Sequence, residues 1–270
     1  MKYSTVVLDL DGTLTNSEKR VTDRTRQALF RYMEAGGTVV LASGRPTYGV
    51  WPIAKELQLD VYGGYILSFN GGNMIDCKTQ NIIYQKKLRE KLPAILARFA
   101  KEQGVAILTY EGEQIITETP ADVYVQKEAF VNRMPVKQVE DFGTYVDFPV
   151  TKCLIVGDGD HMVTVEQRLK ELLGAECCIF RSEPYFLEVV PKGIDKAQSL
   201  DRLNTYLGKR ADDTAAFGDG FNDCSMIAYA GLGVAMGNAQ DAVKDVADEI
   251  TGTNDADGVA VVVERFLQEI

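Results

Sequence analysis

Val6-Val7-Leu8-Asp9-Leu10-Asp11-Gly12-Thr13-Leu14-Thr15 opens as an apolar run and closes on two carboxylates, a glycine and a threonine. A short valine- and leucine-rich run bounded by a glycine turn reads as a buried strand of a parallel sheet. Open α/β sheets bind their ligands in the crevice at the carboxyl ends of such strands. Asp9 and Asp11 would therefore reach that crevice on the first element of the chain, with the Thr13 hydroxyl beside them. Two carboxylates so close repel unless positive charge lies near. A hard divalent cation such as Mg²⁺ suits them, because it takes one or two carboxylates together with phosphate oxygens and water. One acid can then act as nucleophile while the other handles the proton. An isolated Asp-x-Asp is also a common turn-capping pattern, so further signals are needed.

The whole chain limits the alternatives. Its 270 residues suffice for one large domain or two modest ones, and 46% hydrophobic with 25% charged residues is an ordinary soluble globular composition. A net charge of −10 with no basic block argues against a nucleic-acid partner. No apolar run reaches the roughly 18 residues that span a bilayer, and no secretory leader pattern opens the chain. Cysteines at 77, 153, 177, 178 and 224 show no metal-ligand spacing. A reduced, cytoplasmic protein is expected, with no membrane partner. His161 is the one histidine, so a multi-histidine metal site is excluded.

Further along, Thr22 should cap a helix running to about Ala35, ended by Gly36-Gly37. Thr38–Ala42 reads as the next buried strand and delivers Ser43-Gly44-Arg45-Pro46. A serine between a strand and a helix start can bind an anion at free N–H groups, or simply cap the helix. Arg45 at that mouth is a candidate contact to substrate. Tyr65–Phe69 is a third strand, followed by Asn70-Gly71, a turn or hairpin signal. Gly193 to about Leu207 has helical spacing, with Lys196 in its first turn. A cation there opposes the helix dipole, which suggests another purpose. Asp213–Phe217 is a fourth core strand. It leads into Gly218-Asp219-Gly220-Phe221-Asn222-Asp223, whose acids in a glycine-relaxed loop form a good hard-metal site. Gly231–Met236 is one more strand, ending at Gly237-Asn238. Between residues 87 and 189 the texture changes to alternating helices and strands with their own apolar inventory, enough for a separate α+β domain. Within it, Val156-Gly157-Asp158-Gly159-Asp160 reads as a turn, because the downstream acid of a calcium loop is missing.

The Asp-Leu-Asp-Gly-Thr-Leu, Ser-Gly-Arg, Lys196 and Gly-Asp-Gly-Phe-Asn-Asp motifs, in this order, resemble those of the haloacid dehalogenase superfamily, in its Cof-like phosphatase branch. The resemblance implies an α/β fold: a doubly wound, mainly parallel, Rossmann-like core (1–86 and 190–270) with an inserted α/β cap (87–189) that selects substrate. It implies Asp9 as nucleophile and Asp11 as general acid/base, with Ser43 and Lys196 holding the phosphoryl oxygens. Mg²⁺ would be held by Asp9, Asp11 through its carbonyl, Asp219 and Asp223. Gly44, Arg45, Asn70, Asn222 and Asn238 would lie on the substrate or phosphate side. The expected activity is hydrolysis of a small phosphorylated metabolite, most readily a sugar phosphate, by a monomer or small homo-oligomer. A phosphomutase and a non-catalytic metabolite-binding protein are the alternatives.

Overall fold

The structure is a computed structural model that describes residues 1–268. The chain divides into two compact units, Met1–Tyr84 with Asp195–Ile270, and Gln85–Ile194.

The first unit contains β1 (Thr5–Leu8), α1 (Asp23–Glu34), β2 (Thr38–Ala42), α2 (Thr47–Glu56), α3 (Leu59–Tyr62), β3 (Tyr65–Ser68) and β4 (Asn73–Asp76). β5 (Ile82–Gln85) completes the first sheet and leads into the second unit. The second unit comprises α4 (Leu92–Gln103), β6 (Ala106–Glu111), β7 (Gln114–Thr117), α5 (Val123–Asn132), β8 (Val136–Gln138), α6 (Phe142–Tyr145), β9 (Cys153–Val156), α7 (Gly159–Leu173), β10 (Cys177–Glu183) and β11 (Phe186–Pro191). The chain returns to the first unit through α8 (Lys196–Leu207), β12 (Thr214–Gly218), α9 (Cys224–Tyr229), β13 (Leu232–Ala235), α10 (Asp241–Lys244), β14 (Glu249–Ile250) and α11 (Gly258–Gln268).

The first unit's eight-stranded sheet runs β14-β13-β12-β1-β2-β3-β4-β5. β1 lies at its centre, parallel to β2 and β12. All four of its residues are fully buried, which requires cover on both faces. Pairing turns antiparallel only at β3–β4 among the pairs that register from β14 to β4. Thr22 caps α1 by accepting the Thr25 N–H, and Ala28, Leu29, Tyr32 and Met33 form its buried stripe. Because β1, β2 and β12 are parallel and in register, their carboxyl ends place Asp9, Ser43 and Asp219 along one edge.

The second unit is a six-stranded sheet ordered β10-β11-β9-β6-β7-β8, antiparallel except at β7–β8. Ile107, Ile116, Cys153, Ile155, Leu187 and Val189 pack with Leu96, Phe142, Val165 and Leu169 of α4, α6 and α7 in one apolar cluster. By strand alternation, Leu108, Tyr110, Leu154 and Glu188 occupy the opposite face. Val190 and Pro191, expected in the first unit, pair here with Cys178 and Cys177, because β11 runs on past the apolar end anticipated for it. Asp158 is more than a turn residue: its side chain caps α7 by accepting the Asp160 N–H.

Tyr32 is fully buried on α1 and donates its hydroxyl to the Tyr3 carbonyl at 2.9 Å. Tyr32→Phe removes that bond from a buried site, so unfolding of the first unit in urea should lose about 1–2 kcal/mol, read from the shift in midpoint.

Candidate active site

Every residue expected at the site lies in the first unit. Asp9 follows β1 directly, is 7% exposed, and donates its N–H to the Phe217 carbonyl of β12 at 3.1 Å. The chain then turns at Gly12, whose φ is +89°; a Cβ there would stand 2.3 Å from Asp219 Oδ2. Only glycine admits both that backbone and that approach. Thr13 Oγ1 donates to Asp219 Oδ1 at 2.7 Å, which fixes the carboxylate rotamer. Asp223 sits in the short 3₁₀ turn after β12, where its Oδ2 accepts the N–H groups of Asp219 and Gly220, both at 2.9 Å.

Lys196 begins α8, and its side chain is fully buried. Its Nζ donates to Asp9 Oδ1 at 2.6 Å and to Asp223 Oδ1 at 2.5 Å. The unfavourable place of this cation at a helix start is offset by two carboxylates. Asp9, Asp219 and Asp223 present carboxylate oxygens that all lie within 4.8 Å of one another.

The Asp11 side chain lies outside this trio. Arg45 grips it with a bidentate fork, Nε to Oδ2 and Nη2 to Oδ1, both at 2.7 Å, and Lys19 Nζ adds a bond to Oδ1 at 2.8 Å. Arg45 therefore spends its fork on Asp11. Ser43 is buried after β2, and its Oγ accepts the Arg45 N–H at 3.1 Å, a bond that uses a lone pair and not the hydroxyl proton. Asn70, in a left-handed conformation, donates its N–H to the Ser43 carbonyl at 2.9 Å and accepts from Asn222 Nδ2 at 3.0 Å. Gly44 lies against the Asn70 amide, 3.3 Å from where its Cβ would be. Asn238 donates to the Gly12 carbonyl at 2.8 Å and accepts the Asn254 N–H at 3.0 Å, so it braces the turn after Asp9. Lys19 was not anticipated. It lies in a polar loop eight residues from Asp11, and nothing in its local sequence marks it as a partner.

Charge is unbalanced here, with the buried carboxylates of Asp9 and Asp223 and the half-buried one of Asp219 against one ammonium. Burial, reinforced by Asp223 and only partly offset by Lys196, pushes Asp9 up to about 8. Burial also lifts Asp219 to about 6, against the Thr13 bond and Lys196. For Lys196 burial works downward, yet Asp223 and Asp9 outweigh it and hold the ammonium firmly protonated. Asp11 shows the reverse balance. Burial works upward, but the Arg45 fork and Lys19 keep its carboxyl below the usual range.

An all-oxygen donor set with excess negative charge fits a hard divalent cation, which would neutralise the surplus that raises the proton affinity of Asp9 and Asp219.

A sequence model of the haloacid dehalogenase-like hydrolases matches residues 6–263. The chain belongs to that family. The hydrolase is 51% identical to a haloacid dehalogenase-like hydrolase of known structure from Bacteroides thetaiotaomicron, with a TM-score of 0.96 over 98% of this chain and 100% of that one. It is 26% identical to a solved sugar phosphatase of haloacid dehalogenase subclass IIB, with a TM-score of 0.81 over 97% and 98% of the two chains. A 5-amino-6-(5-phospho-D-ribitylamino)uracil phosphatase of Bacillus subtilis is 30% identical over 98% of this chain and 96% of its own. Among the described residues, no helix of the hydrolase is long and apolar enough to cross a membrane.

The raised acids have a consequence for stability. Asp9 holds a proton in the folded state up to about pH 8, whereas the unfolded chain releases it near 3.8. The folded state thus binds more protons across that window, and its stability falls as pH rises through it. Without metal, the thermal midpoint of wild type should fall between pH 5 and 8 by more than that of Asp9→Asn, as differential scanning calorimetry of the two proteins will show.

Proposed function

We propose that the hydrolase is a Mg²⁺-dependent phosphatase of small phosphate monoesters, with sugar phosphates or related polyol phosphates as substrates. The observation that carries this reading is the Asp9 carboxylate, held at the end of a central parallel strand beside a fully buried lysine and two further acids. The relatives named above act, by their names, on a sugar phosphate and on a phosphorylated ribityl chain, both phosphate esters of polyhydroxylated carbon.

In this reading an Asp9 oxygen bonds to phosphorus as the ester P–O bond breaks, and Asp11 gives a proton to the departing alcohol oxygen. Water then attacks the aspartyl-phosphate. Asp11 takes its proton, the Asp9–phosphorus bond breaks, and inorganic phosphate leaves. As placed here Asp11 is ionised, which is its base form for the second step. Its acid role requires Arg45 and Lys19 to release it first. Lys196 neutralises Asp9 and a phosphoryl oxygen, and the Ser43 hydroxyl has its proton free to donate to another. When bound, Mg²⁺ would be held by Asp9, Asp219 and Asp223 and would shield the nucleophile from the phosphate dianion. Asn70 and Asn222, linked to each other, border the same crevice. The second unit supplies substrate selection.

The test is release of inorganic phosphate from a panel of phosphorylated metabolites, with Mg²⁺ and with chelator. Metal-dependent release should fall to background in Asp9→Asn and by roughly 10²–10⁴-fold in Asp11→Asn. Phosphate retained on a bisphosphate intermediate would indicate a mutase instead. Binding of the same metabolites with no release under any metal would overturn the enzymatic reading.

Arg45 gives a separate expectation. Removing its fork raises the Asp11 pKa, so in Arg45→Met the acidic limb of the kcat–pH profile should move to higher pH.

A further inference from the structure

The loop between β1 and α1 carries a lysine that neither turn preference nor stability explains. Lys19 stands at a φ of +60°, in the left-handed region. That conformation is costly for a residue with a Cβ, and glycine or asparagine takes it most readily. The turn around Lys19 is closed by its own hydrogen bonds. Asn16 donates its N–H to the Arg20 carbonyl at 2.9 Å, and Lys19 donates its N–H to the Asn16 carbonyl at 2.9 Å. Asn16 Oδ1 accepts the N–H groups of Glu18 and Arg20, both at 3.0 Å. Ser17 ties the turn to Asp255, N–H to Oδ1 at 2.8 Å and Oγ to Oδ2 at 2.6 Å. The Lys19 backbone is thereby fixed, and its Nζ donates to Asp11 Oδ1 at 2.8 Å from a side chain that is 56% exposed.

An ion pair this exposed stabilises a fold very little. Strained backbone persists where the surrounding structure over-determines it, and it gathers at functional sites. Here the bonds of Asn16 and Ser17 over-determine it. What they deliver is one ammonium to one oxygen of Asp11.

The choice of oxygen has a chemical consequence. A carboxylate offers about four acceptor positions, roughly two on each oxygen. Oδ1 accepts from both Arg45 Nη2 and Lys19 Nζ, which fills it. Among the described residues, Oδ2 accepts from Arg45 Nε alone, which leaves it one open position. The Arg45 fork bridges both oxygens and does not distinguish them. Lys19 breaks that symmetry.

We propose that Lys19 is a positioning residue for Asp11: it occupies Oδ1, fixes the carboxylate plane, and leaves Oδ2 as the oxygen that takes the proton of the attacking water. This rests on the phosphatase reading above, in which Asp11 is the base of the second step. In that step the water oxygen bonds to phosphorus. The bond between phosphorus and Asp9 breaks, its electron pair returns to the Asp9 carboxylate, and the water proton passes to Asp11 Oδ2. Without Lys19 the carboxylate rocks about the guanidinium fork, and Oδ1 competes for the proton. Lys19 acts through Asp11 and not by contact with the reacting atoms.

The experiment uses the full-length, Mg²⁺-loaded protein and p-nitrophenyl phosphate. Its nitrophenolate leaves without a proton from Asp11, so only the second step calls on that carboxylate. Rapid quench separates the steps: nitrophenolate release reads formation of the aspartyl-phosphate, and loss of protein-bound phosphate reads its hydrolysis. Absence of any phosphate release by wild type removes the phosphatase reading and this proposal with it. Given release, Lys19→Met should hydrolyse the aspartyl-phosphate roughly tenfold more slowly while its formation changes by less than about twofold, so bound phosphate accumulates. Lys19→Arg, which returns a cation to Oδ1, should recover most of the rate. Lys19→Gly relaxes the left-handed backbone and removes the ammonium, so it should melt within a few degrees of wild type and share the defect of Lys19→Met. Unchanged or faster hydrolysis in Lys19→Met overturns the proposal, as does an equal loss in both steps or a wild-type rate in Lys19→Gly.

Discussion

One buried ammonium among three carboxylates is the constraint around which the first unit is arranged. Lys196 reaches Asp9 across 187 residues of sequence and Asp223 across 27, and it does so with its side chain fully withdrawn from water. Desolvating a lysine is costly unless its charge is met, so this side chain can be buried only where the carboxyl ends of β1 and β12 bring acids together. The parallel register of those strands is thus a requirement of the chemistry as much as of the sheet. The surplus negative charge is equally informative. Together with burial it leaves Asp9 and Asp219 holding protons more tightly than free carboxylates do, a repulsion that a hard cation would relieve.

Two carboxylates separated by a single residue meet opposite surroundings. Asp9 is buried with too little positive charge, while Asp11 is gripped by a guanidinium fork and an ammonium. Their proton affinities are driven apart, one upward and the other downward. Such divergence within one short motif is the pattern expected where two acids divide nucleophilic and proton-transfer work. The ion pair on Asp11 also couples the first motif to the second, because the same Arg45 places its backbone N–H on Ser43.

The second unit follows a different physical logic. One face of its sheet is closed by helices in ordinary apolar packing. The other carries a buried polar network that links Tyr110, Glu128 and Asn132, with Lys152 paired to Glu188. In the first unit the imbalance is one of net charge and suits a cation.

Sequence alone determined a great deal here, because much of it is local. The apolar runs at Thr5–Leu8, Thr38–Ala42 and Thr214–Gly218 carry period and composition that declare buried strands, and each is followed within a few residues by its polar cargo. Asp9, Ser43, Asp219 and Asp223 were legible as candidates because each follows a buried strand at a turn, and Lys196 because a cation opposes the dipole where it stands; their expected roles came from the resemblance of the ordered motifs to a family. The helix of α1, with its Thr22 cap and buried stripe, was legible locally too. What tertiary structure decided is where long side chains point. Arg45 could have faced a ligand, but the fold aims its fork at Asp11, and Lys19 joins it from a loop whose sequence carries no signal. The polar face of the second sheet was equally hidden. Tyr110, Glu128, Lys152 and Glu188 are scattered over nearly eighty residues, on four segments whose pairing and strand alternation emerge only when the sheet has formed, and a charged residue reads as solvent-exposed until its neighbours close around it.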